Sequence, residues 1–324
     1  MAIRVQSPGL LTTVQDAGRF GKYDIGMPPS GAMDLFSYEV GNYLVGNDPG
    51  AAGLEITYMG PQLQLTSGAV IAITGADMPP RINGEEAATW EALRVQEGDV
   101  LSFDYLKDGA RSYLAIAGGI DVPEFLESRS TYTLIGLGGH EGRALQEGDE
   151  LRAGASADGS SLVGSAVAPE QIPDFSGSDE IRVMIGMCSY RLTEESLRGF
   201  LETEWTVTPD ANRTGYRMRG GELAFVEREQ PPGAGADPAN VVDLGYPVGS
   251  IQVPGGVEPI VLMNDAVTGG GYATIGTVIS VDRDRLAQTK TNDTVRFRSV
   301  TLDEALDARR ERQRRLQEIR EALK

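Results

Sequence analysis

The sequence predicts a mainly β protein built in two parts. Glycine and proline are frequent, with 41 and 17 among 324 residues, and few stretches have long helical spacing. Short apolar runs alternate with turns that contain Gly or Asp, as in β-rich chains. A stretch of small polar residues over 152–180 interrupts this pattern and is typical of a linker. We therefore expect an N-terminal domain over 1–154, a linker over 155–178 and a C-terminal domain over 179–324.

The strands of the first half are predicted from short apolar or alternating runs. The clearest of these are 63–65, 70–73, 100–103 and 113–116. One helix is expected over 33–45, where apolar side chains recur at helical spacing, with Ser30 as its cap.

Two further helices are predicted in the second half from their first turns. Thr193 precedes Glu194 and Glu195, whose charges complement the helix dipole. Thr301 and Glu304 have the spacing of a capping box, and a long closing helix with apolar residues at helical spacing follows them. An arginine-rich run over 309–315 is interpreted as a solvated face of that helix, in preference to a partner-docking site.

Two phrases echo each other in the N-terminal part, and a looser version occurs near the end. They are LRVQEGDVLSF over 93–103, RALQEGDELRA over 143–153 and LAQTKTNDTVRF over 286–297. Each has an Asp-containing turn that leads into an alternating run. We interpret them as hairpin turns of a β architecture that is too irregular for a solenoid.

The charge excludes some partners. There are 47 acidic and 29 basic residues, for a formal charge of −18. A surface that neutralises phosphates needs clustered Lys and Arg, so nucleic-acid binding is not expected. The opening MAIRVQSPGL has no apolar signal-peptide core, and no later run reaches the length of a membrane span. We therefore expect a cytoplasmic protein without membrane contact.

The single histidine and single cysteine limit the chemistry further. His140 alone cannot supply a metal site that needs two histidines, and Cys188 alone cannot form an internal disulfide. Both are interpreted as structural residues, and no metal is expected. The chain also has no GxSxG, P-loop or GxGxxG motif, so a known phosphate loop for ATP is not present in it.

Three polar groups of residues remain as candidate sites. The first places Gln15, Asp16 and Arg19 in a Gly-bounded loop before SGAMD over 30–34, at a helix entrance where free N–H groups can bind an anion. The second is DANRTGYRMRG over 210–220, where Asn212 and Arg213 precede a glycine. An arginine there can hold a carboxylate through two parallel hydrogen bonds.

The third group is VLMNDAVTGGGYATIG over 261–276, preceded by Gln252. Three glycines in a row are costly, because glycine loses the most backbone freedom on folding. Their N–H groups can form a concave anion-binding nest, with Asp265 beside it as base or acceptor. A hairpin with a wide loop explains the same residues equally well, so both interpretations stay open.

These segments together resemble a known family. The phrases TTVQDAGRFG, SGAMD, LVGND, LEIT, RSYLAIAGGIDVP, SRST, GGHEGR, NRTGYRMRG, GSIQVP, PIVLMNDA and GGYATI occur in order over nearly the whole chain. The sequence is thereby similar to the KipA family, also called the C subunit of 5-oxoprolinase, allophanate hydrolase subunit 2 or biotin-dependent carboxyltransferase.

The resemblance implies a mainly β fold of two cyclophilin-like barrels with few helices and the long C-terminal helix. It also implies a heteromeric complex with a KipI-type partner, known as the B subunit, and with an A subunit. Such a complex couples ATP hydrolysis to the opening of 5-oxoproline, a small cyclic amide, to glutamate. In urea carboxylase the corresponding domain transfers a carboxyl group from carboxybiotin to urea.

The sequence departs from the family pattern inside the third group. We expect Asp-Ala-Gln-Thr-Thr-Gly-Gly-Tyr-Pro, whereas this chain has DAVTGGGYA, with Val267, Gly269 and Ala273 at the changed positions. Thr214 and Glu127 also differ from the usual Met and Gly. The substrate can therefore differ from that of the family. No lysine tag of the Met-Lys-Met type occurs, so biotin is not expected on this chain.

The resemblance and the polar groups together give a set of candidate site residues. The candidate catalytic residues are Asp265, Arg213 and Asn264, with Asp265 to orient or deprotonate water or amide and Arg213 to pair with a substrate carboxylate. The candidate substrate-binding residues are Gln15, Asp16, Arg19, Asn212, Gln252, Thr268, Gly270, Gly271 and Tyr272. Gly270 and Gly271 would stabilise an oxyanion.

Three functions follow from these observations. The leading hypothesis is one component of an ATP-dependent 5-oxoprolinase or related amidolyase. The first alternative is the carboxyltransferase component of a urea-carboxylase-type system, which would need a separate biotin carrier. The second is a non-catalytic regulatory partner of a KipI-type protein, which the altered DAVTGGG loop favours.

Overall fold

The structure is a computed structural model that describes residues 2–155, 159–176 and 179–323. Its described residues form two compact units. The first unit falls within Met1–Arg19, Ser30–Ser176 and Gln313–Lys324, and the second within Phe20–Pro29 and Gly177–Arg312. The short segment 20–29 thus groups with the C-terminal part of the chain, which the sequence analysis did not anticipate.

The first unit contains twelve strands among its described residues, in two sheets. The strands are β1 Ala2–Ser7, β2 Leu11–Gln15, β3 Gly53–Thr57, β4 Gln62–Leu65, β5 Ala69–Asp77, β6 Pro80–Ile82, β7 Glu85–Glu86, β8 Ala92–Val95, β9 Val100–Phe103, β10 Asp108–Ile116, β11 Ile120–Asp121 and β12 Glu150–Ala153. Seven strands pair in the order β11-β12-β1-β4-β9-β6-β7, and five in the order β2-β3-β10-β5-β8. All four strands predicted in this half are present.

One apolar core lies between the inward faces of these two sheets. Ile3 and Leu63 contribute from the seven-stranded sheet, and Ile56, Ile73 and Leu114 from the five-stranded sheet. These side chains are fully or almost fully buried. Successive side chains of a strand point to opposite faces of its sheet. Each sheet can therefore bury one face in this core and pack its other face against another element.

The helix α1, Leu35–Leu44, packs on the five-stranded sheet, and its cap differs from the prediction. Asp34, not Ser30, is the cap, since its carboxylate accepts a hydrogen bond from Ser37 N at 3.0 Å. Ser30 lies before the first helical turn and has a positive φ of 51°. An Asp at the cap position satisfies an otherwise unpaired N–H group of the first turn.

The second unit contains a closed barrel and a separate two-stranded ribbon. Its strands are β13 Asp179–Ile185, β14 Glu204–Val207, β15 Gly215–Arg219, β16 Asn240–Gly245, β17 Ser250–Gln252, β18 Ile260–Leu262, β19 Gly269–Tyr272, β20 Thr274–Val278 and β21 Thr294–Ser299. The barrel order is β13-β20-β17-β18-β15-β14-β21, and β16 pairs with β19. Closure removes free sheet edges, which protects a barrel from pairing with other chains.

Aromatic packing fills one end of the second unit. Phe200 stacks on Phe297 with a centroid distance of 4.7 Å, and Trp205 lies against Phe200 at 5.8 Å. All three are buried, and the indole N–H of Trp205 donates to the carbonyl of Phe200 at 2.9 Å. The polar edge of the tryptophan is therefore satisfied inside an apolar environment.

Three helices follow in the second half: α2 Glu194–Glu202, α3 Asp282–Gln288 and α4 Leu302–Ala322. The predicted caps of α2 and α4 are confirmed. Thr193 accepts from Ser196 N, and Thr301 and Glu304 form the reciprocal bonds of a capping box. The mainly β fold and the long C-terminal helix are confirmed. Two barrels were expected: the second unit contains a closed barrel, whereas the described strands of the first unit pair in two sheets.

The arginine run on α4 is a solvated face only in part: Arg309, Arg310 and Arg314 are exposed as expected, whereas Arg312 and Arg315 are half-buried. Within the second unit, Arg312 Nε donates to Asp284 at 3.0 Å. Within the first unit, Arg315 lies over the ring of Phe36 at 4.5 Å and donates to Gln171. Arg312 and Arg315 therefore each make contacts within their own unit. Arg315 can do both at once, because a guanidinium can stack on an aromatic face while its edge makes hydrogen bonds.

The three echoing phrases share one turn, but they are not hairpins. In each turn an Asp carboxylate accepts from a backbone N–H three residues earlier, as Asp99 does from Gln96, Asp149 from Gln146 and Asp293 from Lys290. The third residue of each turn has a positive φ. The first turn joins β8 of the five-stranded sheet to β9 of the seven-stranded sheet, so it carries the chain between sheets.

The segment predicted as a linker, 155–178, lies partly outside the described residues, at 156–158 and 177–178. Its described part packs on the first unit. Val167 is buried and its N–H donates to the carbonyl of Trp90, while Leu162 and Phe175 pack against the same core cluster. The apolar residues scattered through this stretch explain why it folds onto the unit.

Candidate functional site

The first-unit candidates centre on the carboxylate of Asp16, just after β2. It accepts four hydrogen bonds, from Gly18 N at 2.8 Å, Ser128 Oγ at 2.7 Å, and Ser130 Oγ and Arg129 N at 2.5 Å each. Asp16 is almost completely buried. A buried carboxylate with this many donors is held rigidly, so it joins the 16–19 loop to the SRST segment.

Gln15 and Arg19 are buried on either side of Asp16 in the chain. Gln15 Nε2 donates to Thr13 Oγ1 at 3.0 Å and to the carbonyl of Thr131 at 3.2 Å. Arg19 Nη2 donates to the carbonyl of Ser130, and its guanidinium lies 5.9 Å from the centre of the Phe125 ring. The predicted residues of this loop are therefore brought together, around a segment more than a hundred residues later.

The helix entrance predicted to bind an anion is occupied by the protein's own side chains. Met33 N donates to Glu55 at 2.8 Å, and Asp34 N donates to the hydroxyl of Tyr113 at 2.8 Å. That hydroxyl donates to Glu55 at 2.9 Å, and Arg111 lies 3.8 Å from the same carboxylate. Burial raises the pKa of Tyr113 well above its usual value. The expected anion site at this helix is thus replaced by an internal network.

In the second unit, Arg213 and Asp265 bind each other. Arg213 Nε donates to Asp265 Oδ2 at 2.8 Å, and Nη2 donates to Oδ1 at 3.1 Å. Their side chains are only 5% and 3% exposed. The backbone N–H of Asp265 also donates to the carbonyl of Arg213 at 2.9 Å. Both residues were predicted from the sequence, but with separate partners, and this bidentate pair was not predicted.

The glycine-rich stretch forms a strand, and the expected nest is absent. Gly269–Tyr272 is β19, whose Gly270 lies opposite Leu244 and whose Gly269 lies opposite Gly245 of β16. None of its three glycines has a positive φ. A nest needs successive N–H groups in a turn with left-handed residues, so the extended backbone excludes it here. The alternative of a hairpin with a wide loop is also wrong, since the glycines themselves are paired.

Tyr246 gives the physical reason for a glycine at 270, and this role was not predicted from the sequence. A Cβ at Gly270 would lie 2.9 Å from the Tyr246 ring, so the ring packs directly on the bare backbone. The Tyr246 hydroxyl accepts from Tyr272 N at 2.7 Å and donates to Tyr272 O at 2.8 Å. Burial raises the pKa of Tyr246, which keeps the hydroxyl protonated as a donor. In the sequence, Tyr246 simply follows Leu244 and Gly245, and nothing in that pattern indicates that its ring packs on Gly270.

The remaining candidates of the second unit lie around these elements. Asn212 is exposed, and its side-chain oxygen accepts from Thr214 N at 2.8 Å and Gly215 N at 3.3 Å, which closes the turn before β15. Gln252 ends β17 and is half-buried. Asn264 and Thr268 are half-buried on the loop that carries Asp265, and Tyr272 is partly exposed at the end of β19.

His140 lies in the first unit beside a structural carboxylate. Its Nε2 is 3.5 Å from Asp149 Oδ1, and Arg143 holds the same carboxylate with two bonds of 2.7 and 2.9 Å. Hydrogen bonds from Arg143, then the Gln146 N–H and the charge of His140, lower the pKa of Asp149 to about 2. This arrangement supports the structural interpretation of His140. Cys188 is half-buried, as expected.

Replacing Asp149 with asparagine is expected to lower the free energy of unfolding at neutral pH by about 2 kcal/mol. The folded-state pKa is depressed, so the stabilisation is present above the ordinary value of 3.8 and is lost as the pH falls toward 2. Urea unfolding at several pH values measures it. Asp99→Asn is the control, because Asp99 makes the same turn but pairs with Asn83. A pH-independent difference between wild type and Asp149→Asn would contradict the assignment.

No group of three or more His, Cys, Asp or Glu within 2–155, 159–176 and 179–323 could hold a metal ion. Within the same ranges, no helix is both long enough and apolar enough to cross a membrane.

Fold and sites define a mainly β protein with a closed barrel, a Gly-rich ribbon and two buried clusters of polar and charged residues. Residues 25–299 match the model of the family described as carboxyltransferase domain, subdomain A and B. The chain belongs to this family, and the resemblance seen in the sequence is confirmed.

Similar proteins include separate subunits as well as long multidomain enzymes. The chain is 34% identical over 318 residues to the C subunit of 5-oxoprolinase from Escherichia coli, covering 98% of this chain and 97% of that protein. It is 34% identical over 307 residues to urea amidolyase of Lachancea kluyveri, covering 91% of this chain and 17% of that enzyme. The crystal structure of Kluyveromyces lactis urea carboxylase matches with a TM-score of 0.90 and 33% identity, over 98% of this chain and 29% of that one.

Proposed function

We propose that this chain is the C subunit of an ATP-dependent 5-oxoprolinase that opens 5-oxoproline to glutamate. The observation that carries the proposal is the end-to-end match with the Escherichia coli protein, which covers 98% of one chain and 97% of the other. In the urea amidolyase of Lachancea kluyveri, the chain corresponds to only 17% of the enzyme. The 5-oxoprolinase component is therefore the better guide to the activity.

The reaction needs groups that bind a planar lactam and its carboxylate. Opening the ring consumes one water across the C–N bond, and a second water hydrolyses ATP to ADP and phosphate. Developing charge on the lactam oxygen must be stabilised by donors placed in advance. In our proposal, Asn264 and Thr268 supply donors and orient the ring. Gly270 and Gly271, which were expected to stabilise an oxyanion, lie in the paired strand β19, so we do not assign them this role.

The bidentate pair changes the roles proposed for its members. Both oxygens of Asp265 accept from Arg213, so the carboxylate is oriented by the guanidinium at 2.8 and 3.1 Å. We propose that the two act together: Arg213 fixes the direction of Asp265, and Asp265 orients the water or amide. Asn212, in the turn before β15, and Gln252, at the end of β17, then contact the substrate. Gln15, Asp16 and Arg19 shape the first-unit loop.

The activity is proposed to require partner proteins. This chain would work with a KipI-type B subunit and with an A subunit, in the cytoplasm. Because the sequence has no known phosphate loop, we assign ATP binding to one of these partners. Biotin is not attached to this chain in either proposed function.

A biotin-dependent carboxyltransferase is the second candidate, and one observation favours it. The structure superposes on urea carboxylase with a TM-score of 0.90, and the family model is that of a carboxyltransferase domain. In this reaction a planar amide accepts a carboxyl group from a carboxylated carrier. The candidate predicts that carboxybiotin on a carrier protein loses its carboxyl group only when this chain and the amide are both present.

The experiment is reconstitution of the complex from this chain, an A subunit and a B subunit, with each of the three omitted in turn. We expect glutamate and ADP to form from 5-oxoproline and ATP only with all three present. Loss of product on leaving out this chain would establish that the complex needs it. If a stable, complete complex gives no glutamate but transfers carboxyl groups from carboxybiotin to urea, the leading proposal is overturned in favour of the second.

A further inference from the structure

The second unit contains a groove whose residues have no role in the proposed reaction. It is built from the segment 20–29, strands β13 and β20, and the first residues of α3 and α4. Its volume is about 430 Å³, and Phe20, Tyr23, Met184, Val278 and Leu306 contribute apolar lining. We refer to it as the β20–α4 groove. Volumes of this size are typical of sites for small molecules.

The walls of the β20–α4 groove leave large apolar side chains open to solvent. Phe20 is 65% exposed and Leu306 is 37% exposed, and Tyr23 and Leu302 are also exposed. Single apolar residues on a surface are ordinary, whereas several that share one concavity indicate a surface that is covered in use. Their burial by a ligand would be favourable in proportion to the apolar area removed from water.

Two cations line the same groove. Arg283 is the second residue of α3, and its Nε donates to the carbonyl of Ser280 at a long 3.4 Å. The neighbouring carboxylate of Asp284 is engaged by Arg312 at 3.0 Å. Within the part of the chain that the structure describes, no carboxylate forms a salt bridge with Arg283 or with the exposed Arg309.

The position of Arg283 is costly for a charged group. Burial is the largest influence on it and lowers its pKa. A desolvated cation is stabilised by an anion that brings hydrogen-bond acceptors to it. The protein has 47 acidic residues, and yet none of the described ones forms an ion pair with this arginine. The charge of the neighbouring Asp284 only partly offsets the effect of burial on Arg283. A ligand carboxylate in the groove would give this arginine a direct partner.

We propose that the β20–α4 groove binds a small organic anion with an apolar body, such as a medium-chain acyl or an aryl carboxylate. Its carboxylate accepts hydrogen bonds from the guanidinium of Arg283, and its apolar part packs on Phe20, Val278 and Leu306. A guanidinium and a carboxylate match in geometry as well as in charge. 5-Oxoproline is too small and polar to cover these walls, so the site is separate from the proposed reaction.

Calorimetric titration of the full chain with octanoate tests this proposal. Octanamide is the matched uncharged probe, because it keeps the length and the apolar tail. We expect saturable binding of one octanoate, and binding of octanamide weaker by about tenfold or more, since a charge-assisted bond is lost. Arg283→Gln should bring octanoate down to the affinity of octanamide.

Matched variants separate the site from general charge effects. Arg310→Gln removes the same charge from a side chain that is 70% exposed on α4, and octanoate affinity should not change. Leu306→Glu places a carboxylate in the groove wall and should abolish binding, whereas Leu134→Glu, at an exposed apolar residue of the first unit, should not. Thermal unfolding confirms that each variant is folded.

The contrary results are equally definite. Absence of saturable octanoate binding to the wild-type chain would overturn the proposal. So would unchanged affinity in folded Arg283→Gln or Leu306→Glu. The readout is binding to the isolated chain and not glutamate formation, so a failure here leaves the 5-oxoprolinase proposal untouched, and the reverse also holds.

Discussion

Replacing Asp265 with asparagine is expected to lower the free energy of unfolding of the second unit by about 3–5 kcal/mol, because one charge of a buried ion pair is removed. Arg213 and Asp265 are 5% and 3% exposed, so water cannot replace the lost carboxylate charge. Urea unfolding, followed by hydrogen exchange resolved to peptides of β15 and β18, measures the change within that unit.

Two control variants test the physical reason. Glu180→Gln breaks the pair with Arg298, whose side chains are 55% and 45% exposed, and should cost less than about 1 kcal/mol. Replacing both members, Arg213→Met with Asp265→Leu, should recover much of the loss, since neither charge then stays buried alone. A cost for Asp265→Asn no greater than that of Glu180→Gln would contradict the assignment.

The same variant tests the proposed chemistry in the reconstituted complex. If Asp265 orients the water or amide, folded Asp265→Asn should lose most of its glutamate formation under conditions where the complex is intact. Normal turnover would remove this role from Asp265 and leave the pair a structural one.

Replacing Asp16 with alanine is the second change with a large expected effect. It would remove four hydrogen bonds at once and leave the donors of Ser128, Ser130, Gly18 and Arg129 without their acceptor. Unsatisfied buried donors are costly, so we expect a loss of about 3–5 kcal/mol in the first unit. Hydrogen exchange of peptides covering β2 and residues 128–131 locates the change.

Asp48→Ala is the matched control for Asp16→Ala. Asp48 makes the same two-residue turn, accepting from Gly50 N at 3.3 Å, but it is much less buried. Water can take over its single hydrogen bond, so the cost should stay below about 1 kcal/mol. Equal costs for the two variants would show that the turn, and not the buried network, is what Asp16 contributes.

Local features were predicted well because their causes lie within a few residues. The caps of α2 and α4 follow from Thr193 and Thr301 with their neighbours, and the structure confirms both. Strands such as β9, Val100–Phe103, follow from alternating apolar residues between turns. One cap was predicted wrongly: Asp34 caps α1, although Ser30 was predicted.

The candidate site was predicted in its members but not in its contacts. The phrases NRTGYRMRG and PIVLMNDA identified Arg213 and Asp265, yet nothing in either phrase shows that the two residues bind each other. The glycines at 269–271 indicated close approach of the backbone, and the partner proved to be the ring of Tyr246. A run of glycines indicates that there is no room for a Cβ, but it does not show which neighbouring group takes up that room.

The sequence by itself determined the mainly β class, the capped helices, the turns with Asp and the family. Tertiary structure alone decided that Arg213 meets Asp265 across 52 residues and that Asp16 meets Ser130 across 114. It also decided that residues 20–29 join the second unit and leave a cationic apolar groove there. The reason is physical: caps and turns are fixed by hydrogen bonds between near neighbours, whereas distant side chains meet only where the packed core brings their backbones together.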